Sequence, residues 1–488
     1  MKRTGNGLSL FGMHCLLLLP FYAFSKADSL AFVIGANFTA ATNSYQPLWH
    51  TANRYASISD QKNDVSAFVS FSNQHNFKSK HKDPEDTTAN RQHSKLYLKY
   101  GSSLVYNQHF RNICLQELFV KIGIGNFEIR GGRFKEIPGE VDKDLSSGSL
   151  GISGNAVPIP KVSFSTRGYQ NIPFTNGWLQ YNAQVSHGWL GTDRYTKNSW
   201  LHEKQLYLRV GKKRLSFFAG LQHYAEWAGS RDGVPYDRSW KDFFNVFLGK
   251  ELKETGPSQT PGLLPNRSGD QRGVVEFGGA YRADKMLVHL YHQTPLENAQ
   301  GVHLLNNRLL GISVSPSNNK AFVKKALLEF IYTNQSDDNY PALYRQSFYN
   351  NGVYKTGWEY QNKIIGAPLF INRVRAQHYF TDIYPFDWDA PSNTIAGSSN
   401  IYINNIIGLH AGLLFGNKKM AAKTLGTYTR NFIKNGAAYT QLYFLQEVAY
   451  TISHTGLKAI ASVAADFGQL SKNAGLLFGL EWRPLGGN

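Results

Sequence analysis

Chemistry, if this chain performs any, must come from Ser, His, Asp, Glu and the aromatic-plus-basic clusters, because only two Cys occur among 488 residues. Ser186-His187 with Asp193 supplies the residue types of a hydrolytic triad. Neighbours on a strand point to opposite faces, however, so Ser186 and His187 cannot share a proton there. His202-Glu203 lacks the second histidine of a zinc-protease helix. Asp337-Asp338 has no calcium-loop spacing, and Gly123-Ile124-Gly125 reads as a turn because no helix follows it. These patterns predict no catalytic site, no metal and no cofactor.

A different cluster is better suited to binding. Trp178, Trp189, Trp200, Trp227 and Trp240 lie among His187, Arg194, Lys197, Arg231 and Lys241. Flat rings accept the C–H faces of sugars, and the cations pair with uronate or phosphate groups. This region is the candidate glycan contact. Arg238 lies beside it. The alternative use of the same residue types is an aromatic girdle with cations reaching lipid headgroups.

The charge balance points the same way. With 52 Lys+Arg against 34 Asp+Glu, the formal charge is +18. The first residues read as an export signal: Lys2 and Arg3, an apolar stretch from Leu8 to Phe24, then Ser25-Lys26-Ala27 before Asp28. Removing residues 1–27 takes three positive charges with it and leaves Cys114 as a lone thiol. An exported basic protein does not meet nucleic acid. Its expected partners are anionic glycans such as exopolysaccharide, lipopolysaccharide phosphates and outer-membrane lipid.

The elements that would position these residues are strands. Past Ala27 no run of about 18 apolar residues occurs, so no spanning helix is expected. Alternation with period two recurs instead. Leu206, Leu208 and Val210 alternate with Tyr207 and Arg209, and Leu476, Phe478, Leu480 and Trp482 share one face against Gly475, Gly479 and Glu481. Several apolar stripes end in an aromatic residue, as at Tyr100, Tyr281, Tyr332, Tyr450 and Trp482. Short turns such as 211–214, 283–285 and 416–419 contrast with long polar insertions at 73–94, 136–165, 251–272, 334–360 and 379–400. Aromatic residues make up 14% and charged residues only 18%, with 45 Gly. The expectation is an all-β fold, a transmembrane antiparallel barrel of about 16–18 strands filling residues 28–488. Residues 28–63 read as a short non-strand plug or periplasmic segment. Pro158 and Pro160 cannot serve a central strand, so the 148–160 stretch is expected to fold over or into the lumen.

Several dense blocks carry a family resemblance: Ser147-Gly148-Ser149-Leu150, Ser153–Pro160, Ile172–Trp178, Ser186–Leu190, Trp200–Tyr207, Trp240–Phe244, Leu290–Gln293 and Tyr349–Tyr354. As an ordered set they resemble the capsule assembly Wzi family of outer-membrane barrels. The resemblance implies a barrel of about 18 strands acting as a non-catalytic lectin that holds anionic capsular polysaccharide at the cell surface, with capsule export machinery as a further partner. A porin-like channel for oligosaccharides or ions is the alternative that strand count and polar lumen suggest. One departure is the C-terminus, where six residues follow Trp482 rather than the chain finishing on an aromatic.

Overall fold

The computed structural model describes residues 29–77, 96–249, 269–297, 307–318, 320–334, 348–391, 394, 398–433 and 436–484. Residues 1–27, read as the export signal, lie outside them. Eighteen strands form one closed antiparallel sheet. The first six are β1 (Ser29–Tyr45), β2 (Gln61–Phe77), β3 (Leu96–Tyr106), β4 (Ile113–Ile124), β5 (Phe127–Arg133) and β6 (Lys161–Thr166). The next six are β7 (Leu179–Trp189), β8 (Trp200–Gly211), β9 (Leu215–Trp227), β10 (Asp270–Arg282), β11 (Met286–Leu296) and β12 (Arg308–Pro316). The last are β13 (Val323–Tyr332), β14 (Asn405–Gly416), β15 (Met420–Phe432), β16 (Ala438–Thr451), β17 (Leu457–Gly468) and β18 (Lys472–Trp482). Each pairs with its neighbour in sequence, and β18 pairs with β1 to close the cylinder. Closure removes the sheet edges that lipid could not satisfy. No helix among the described residues is long and apolar enough to cross a membrane.

The alternation maps onto the two faces as the sequence predicts. Leu206, Leu208 and Val210 face outward and exposed while Tyr207 turns into the lumen, and Leu476, Phe478, Leu480 and Trp482 line the outside of β18. One boundary needs correction. Residues 28–63 are not all plug: Ser29–Tyr45 is a full barrel strand paired on both sides. Its inward face carries Ala31, Val33 and Gly35 beside Asn37 and Thr39, which blurs the contrast with Leu30, Ile34 and Phe38 outside. The plug proper is 46–60, with the short helix α1 (Leu48–Thr51) buried in the lumen.

Connectivity sorts the loops into two ends. Turns such as 125–126, 212–214, 283–285 and 417–419 share one end with the start of β1 and the end of β18, and the connections 46–60, 134–160, 228–269 and 333–404 leave from the other. Long loops mark the extracellular end of an outer-membrane barrel. Residues 78–95 lie outside the described set; the strand ends on either side of them, Phe77 and Leu96, are at the turn end.

Three segments from the loop end fill the lumen. Leu48 and Trp49, then Leu145, Leu150 and Val157, then Trp358 and Phe370 form one apolar core inside the wall. Backbone groups buried with them need partners. The wall supplies these as side chains. Glu276 of β10 accepts the Glu140 N–H at 3.1 Å, Gln293 of β11 the Leu150 N–H at 2.9 Å, Glu329 of β13 the Ser147 N–H at 2.7 Å, and Asp466 of β17 the Leu48 N–H at 3.2 Å.

Two of these acceptors are set by the same device. Tyr207 of β8 lies across Gly220 of β9 and donates to Glu276 of β10 at 2.5 Å. Tyr291 of β11 lies across Gly311 of β12 and donates to Glu329 of β13. A Cβ added at Gly311 would stand 2.2 Å from the Tyr291 ring, so only glycine admits the crossing. Tyr291→Phe is therefore expected to cost about 1.5–3 kcal/mol in urea unfolding of the vesicle-embedded barrel, the scale of a hydrogen bond to a charged group. Gly311→Val should cost more, because the whole ring is displaced, and equal midpoints for both variants and wild type would contradict this assignment.

Candidate functional site

The ten sequence-predicted glycan residues do not form one site. Trp178 stands in the 167–178 connection at the turn end, exposed, with the Lys212 ammonium 5.5 Å from its ring centroid. His187, Trp189, Trp200 and Trp227 come together near the loop end of β7–β9, but they point outward, away from the lumen. Trp240 and Lys241 belong to α2 (Trp240–Phe247), which packs against that outer wall. Ser186 faces the lumen and His187 the outside, so their side chains are separated by the sheet.

The remaining three, Arg194, Lys197 and Arg231, sit at the loop-end mouth. Arg194 is 1% exposed and pairs with Glu226 at 2.6 Å, and Ser199 donates to the other Glu226 oxygen at 2.7 Å. Its guanidinium also reaches the Glu359 carbonyl at 3.4 Å. It is a strut, closed off from any ligand. Arg231, also buried, donates to the carbonyls of Tyr195 at 3.2 Å, Trp388 at 2.8 Å and Ala390, and stacks 4.1 Å over the Tyr195 ring. Lys197 is half exposed and pairs with Asp389.

What these cations hold is a stretch the sequence reading treated only as a polar insertion. Tyr384-Pro385-Phe386-Asp387-Trp388-Asp389 forms an aromatic ledge over the mouth. Tyr384 is 66% exposed, and Phe386 and Trp388 are half-buried with ring centroids 5.4 Å apart. The Arg373 guanidinium stacks 4.2 Å over Phe386 and donates to the Tyr384 carbonyl at 3.0 Å. Trp388 meets Tyr195 edge-on at 6.4 Å, and the Lys355 ammonium lies 5.7 Å over the same Tyr195 ring. The signal that could have found it was aromatic density in the segment 379–388, five rings in ten residues.

Beneath the ledge, Glu359 accepts from the amides of Asn372 at 2.7 Å and Asn400 at 2.8 Å, tying together the segments that frame it. Burial pushes this carboxyl up from 4.5 to about 6, only partly offset by the two amides and by Arg194. The folded state thus holds the proton more tightly than the unfolded chain. That stabilisation is full below about pH 4.5 and is lost as pH rises through about 6, a difference of about 2 kcal/mol.

At the turn end the lumen opens into two cavities of about 600 and 570 Å³ that share Lys135, Glu136, Ile137 and Lys143. Their walls mix both charges, with Arg54 pairing Glu447 at 2.5 Å. Among the described residues no three His, Cys, Asp or Glu lie close enough to hold a metal ion.

Glu359→Gln keeps an acceptor for both amides but cannot titrate. Between pH 4.5 and 6.5 its unfolding free energy is expected to fall by about 2 kcal/mol less than that of wild type, the share Glu359 contributes, and parallel pH profiles for the two proteins would refute the assignment.

Comparison with known proteins places this geometry. No protein of curated function matches the sequence significantly. Among solved structures, Wzi of Escherichia coli, described as a carbohydrate-binding β-barrel involved in group 1 capsule assembly, aligns over 98% of this chain and 89% of its own. The TM-score is 0.57 at 11% identity, which shows a shared fold. OccK5 of Pseudomonas aeruginosa aligns over 93% of this chain and 98% of its own at 8% identity and a TM-score of 0.47, and OccAB4 of Acinetobacter baumannii over 94% and 98% at 8% and 0.45. At the level of sequence, the family described as capsule assembly protein Wzi matches residues 38–380. The eighteen-strand cylinder and that match over most of the sequence agree, and the chain belongs to the capsule assembly Wzi family of outer-membrane β-barrels.

Proposed function

We propose that this barrel is a non-catalytic lectin that holds acidic capsular polysaccharide at the cell surface, with the aromatic ledge Tyr384–Asp389 as its contact. The observation that carries the reading is the exposure of aromatic rings beside cations at the mouth, on a segment fixed from below. Tyr384, Phe386 and Trp388 present apolar faces to sugar C–H groups. Lys197 and Lys355 stand within the same patch for uronate or phosphate, and Asp382 and Asp387 are exposed acceptors for sugar hydroxyls. Membership of the family supports it, as does the description of the Escherichia coli barrel as carbohydrate-binding. Of the ten residues first suggested by sequence, Lys197 stays as a contact and Arg231 as the residue that positions the ledge.

A channel is the competing function, and the packing argues against it. An apolar core bonded to the wall by four side chains leaves a filled cylinder rather than a polar pore. In planar bilayers the wild-type protein is expected to be silent, and steady conductance would favour the channel. Residues 1–27 are read as a signal removed on export, which N-terminal sequencing of the outer-membrane protein tests by starting at Asp28.

The binding experiment uses purified full-length protein and immobilised acidic capsular polysaccharide. With about 1 kcal/mol per ring, Tyr384→Ala/Trp388→Ala should bind at least about tenfold more weakly. Trp178→Ala, at the opposite end, should bind as wild type does. Unchanged affinity for the double variant, with folding verified by heat-shifted gel mobility, would remove the ledge from the proposal.

A further inference from the structure

The connection from β9 to β10 does not stay at the mouth. Beyond Ser239 it forms α2 against the outside of the barrel. The helix start is fixed reciprocally: Asp242 N–H donates to Ser239 Oγ at 3.2 Å, and Ser239 N–H donates to Asp242 Oδ2 at 2.9 Å. Phe243 packs on the outward rings of His187, His202 and Trp227 at 6.1, 5.8 and 6.0 Å, and Phe247 on His202 at 5.2 Å. Val246 joins Ala225 and Trp227 in a small core separate from the lumen. Lys204, outward on β8, donates to the Phe247 carbonyl and ties down the last turn.

The wall beneath explains the placement. Toward the turn end, the outward residues of the same strands are Leu206, Leu208, Phe217 and Leu221, a surface for hydrocarbon. Toward the loop end they become His187, His202, Lys204 and His223, polar groups that hydrocarbon would not solvate. Helix α2 covers that polar step. In doing so it turns a second apolar face outward: Trp240, Phe244 and Leu248, four residues apart, are 80%, 58% and 60% exposed. Arg238 and Lys241 are exposed beside Trp240. An apolar stripe edged by cations, continuous with a lipid-facing wall and level with its polar boundary, has the form of an interfacial helix.

We infer that α2 is a lipopolysaccharide-docking wedge. Trp240, Phe244 and Leu248 enter the outermost acyl layer, and Arg238 and Lys241 pair with the phosphates above it. This inference does not depend on the ledge binding sugar.

The test uses the full barrel in proteoliposomes containing lipopolysaccharide, with and without lipid brominated on the acyl chain near the headgroup. Tryptophan emission of wild type minus that of Trp240→Phe isolates Trp240, and brominated lipid is expected to quench this difference at least twofold. An unquenched difference signal would overturn the inference. In the same vesicles, Arg238→Ser/Lys241→Ser should lose at least half of the rise in unfolding midpoint that lipopolysaccharide gives over phosphatidylcholine. An undiminished rise would overturn the headgroup contact. Sedimentation in detergent supplies the remaining arm: a monomer is the expected result, whereas a dimer abolished by Trp240→Ser would show that a second copy, not lipid, covers the stripe.

Discussion

Backbone N–H groups of the plug ending on side chains of the wall are the constraint from which the rest of this structure follows. A cylinder of eighteen strands satisfies its own backbone, but chain folded into its lumen does not satisfy itself. Glu276, Gln293, Glu329 and Asp466 are the acceptors, each on a different strand, and three of them are carboxyls. Removing such an acceptor strands a buried donor, which costs more than the bond itself contributes. Tyr207 and Tyr291, each laid over a glycine of the next strand, hold two of the carboxyls by their second oxygen or by a shared one. The wall therefore dictates where the plug sits, and the plug dictates which loops remain outside to meet other molecules.

Much of the cylinder was legible in the sequence because its physical cause is local. Lipid on one side and the lumen on the other impose period two, and β8, β9 and β18 show it plainly. β1 and β15 escaped for the same reason in opposite senses. β1 has small apolar residues facing inward, so its two faces look alike. β15 presents Thr427, Thr429 and Asn431 inward with Thr424 and Gly426 outside, and shows no apolar stripe. β6 was missed because residues 161–165 were counted with the polar insertion 136–165. The crossings of Tyr over Gly were invisible because Tyr207, Gly220 and Glu276 are brought side by side only by strand register.

The binding residues were less legible than the barrel. Trp and Arg close in sequence suggested a common site, but a strand of about ten residues carries its two ends to opposite sides of a membrane, and alternate residues to opposite sides of the wall. Trp178 and Trp189 differ by the first of these displacements. Arg194 and Arg231, expected as glycan contacts, stand near the mouth but are buried and paired there, which makes them supports. Tyr384 and Trp388 were missed because the whole insertion was weighed by its polarity. A protein working at a surface has three distinct environments to serve, and in this chain the aromatic-plus-cation pairing is used in more than one of them.

The seam between β1 and β18 carries a consequence for biogenesis. Segment 46–60 hangs from β1 and bonds to the neighbouring β2, yet it also reaches β15, β16 and β17, through Trp49 to Thr427, Arg54 to Glu447 and Leu48 to Asp466. The seat of the first loop is therefore built largely from the last strands of the chain, and it is complete only when residues about 400 positions downstream have joined the wall.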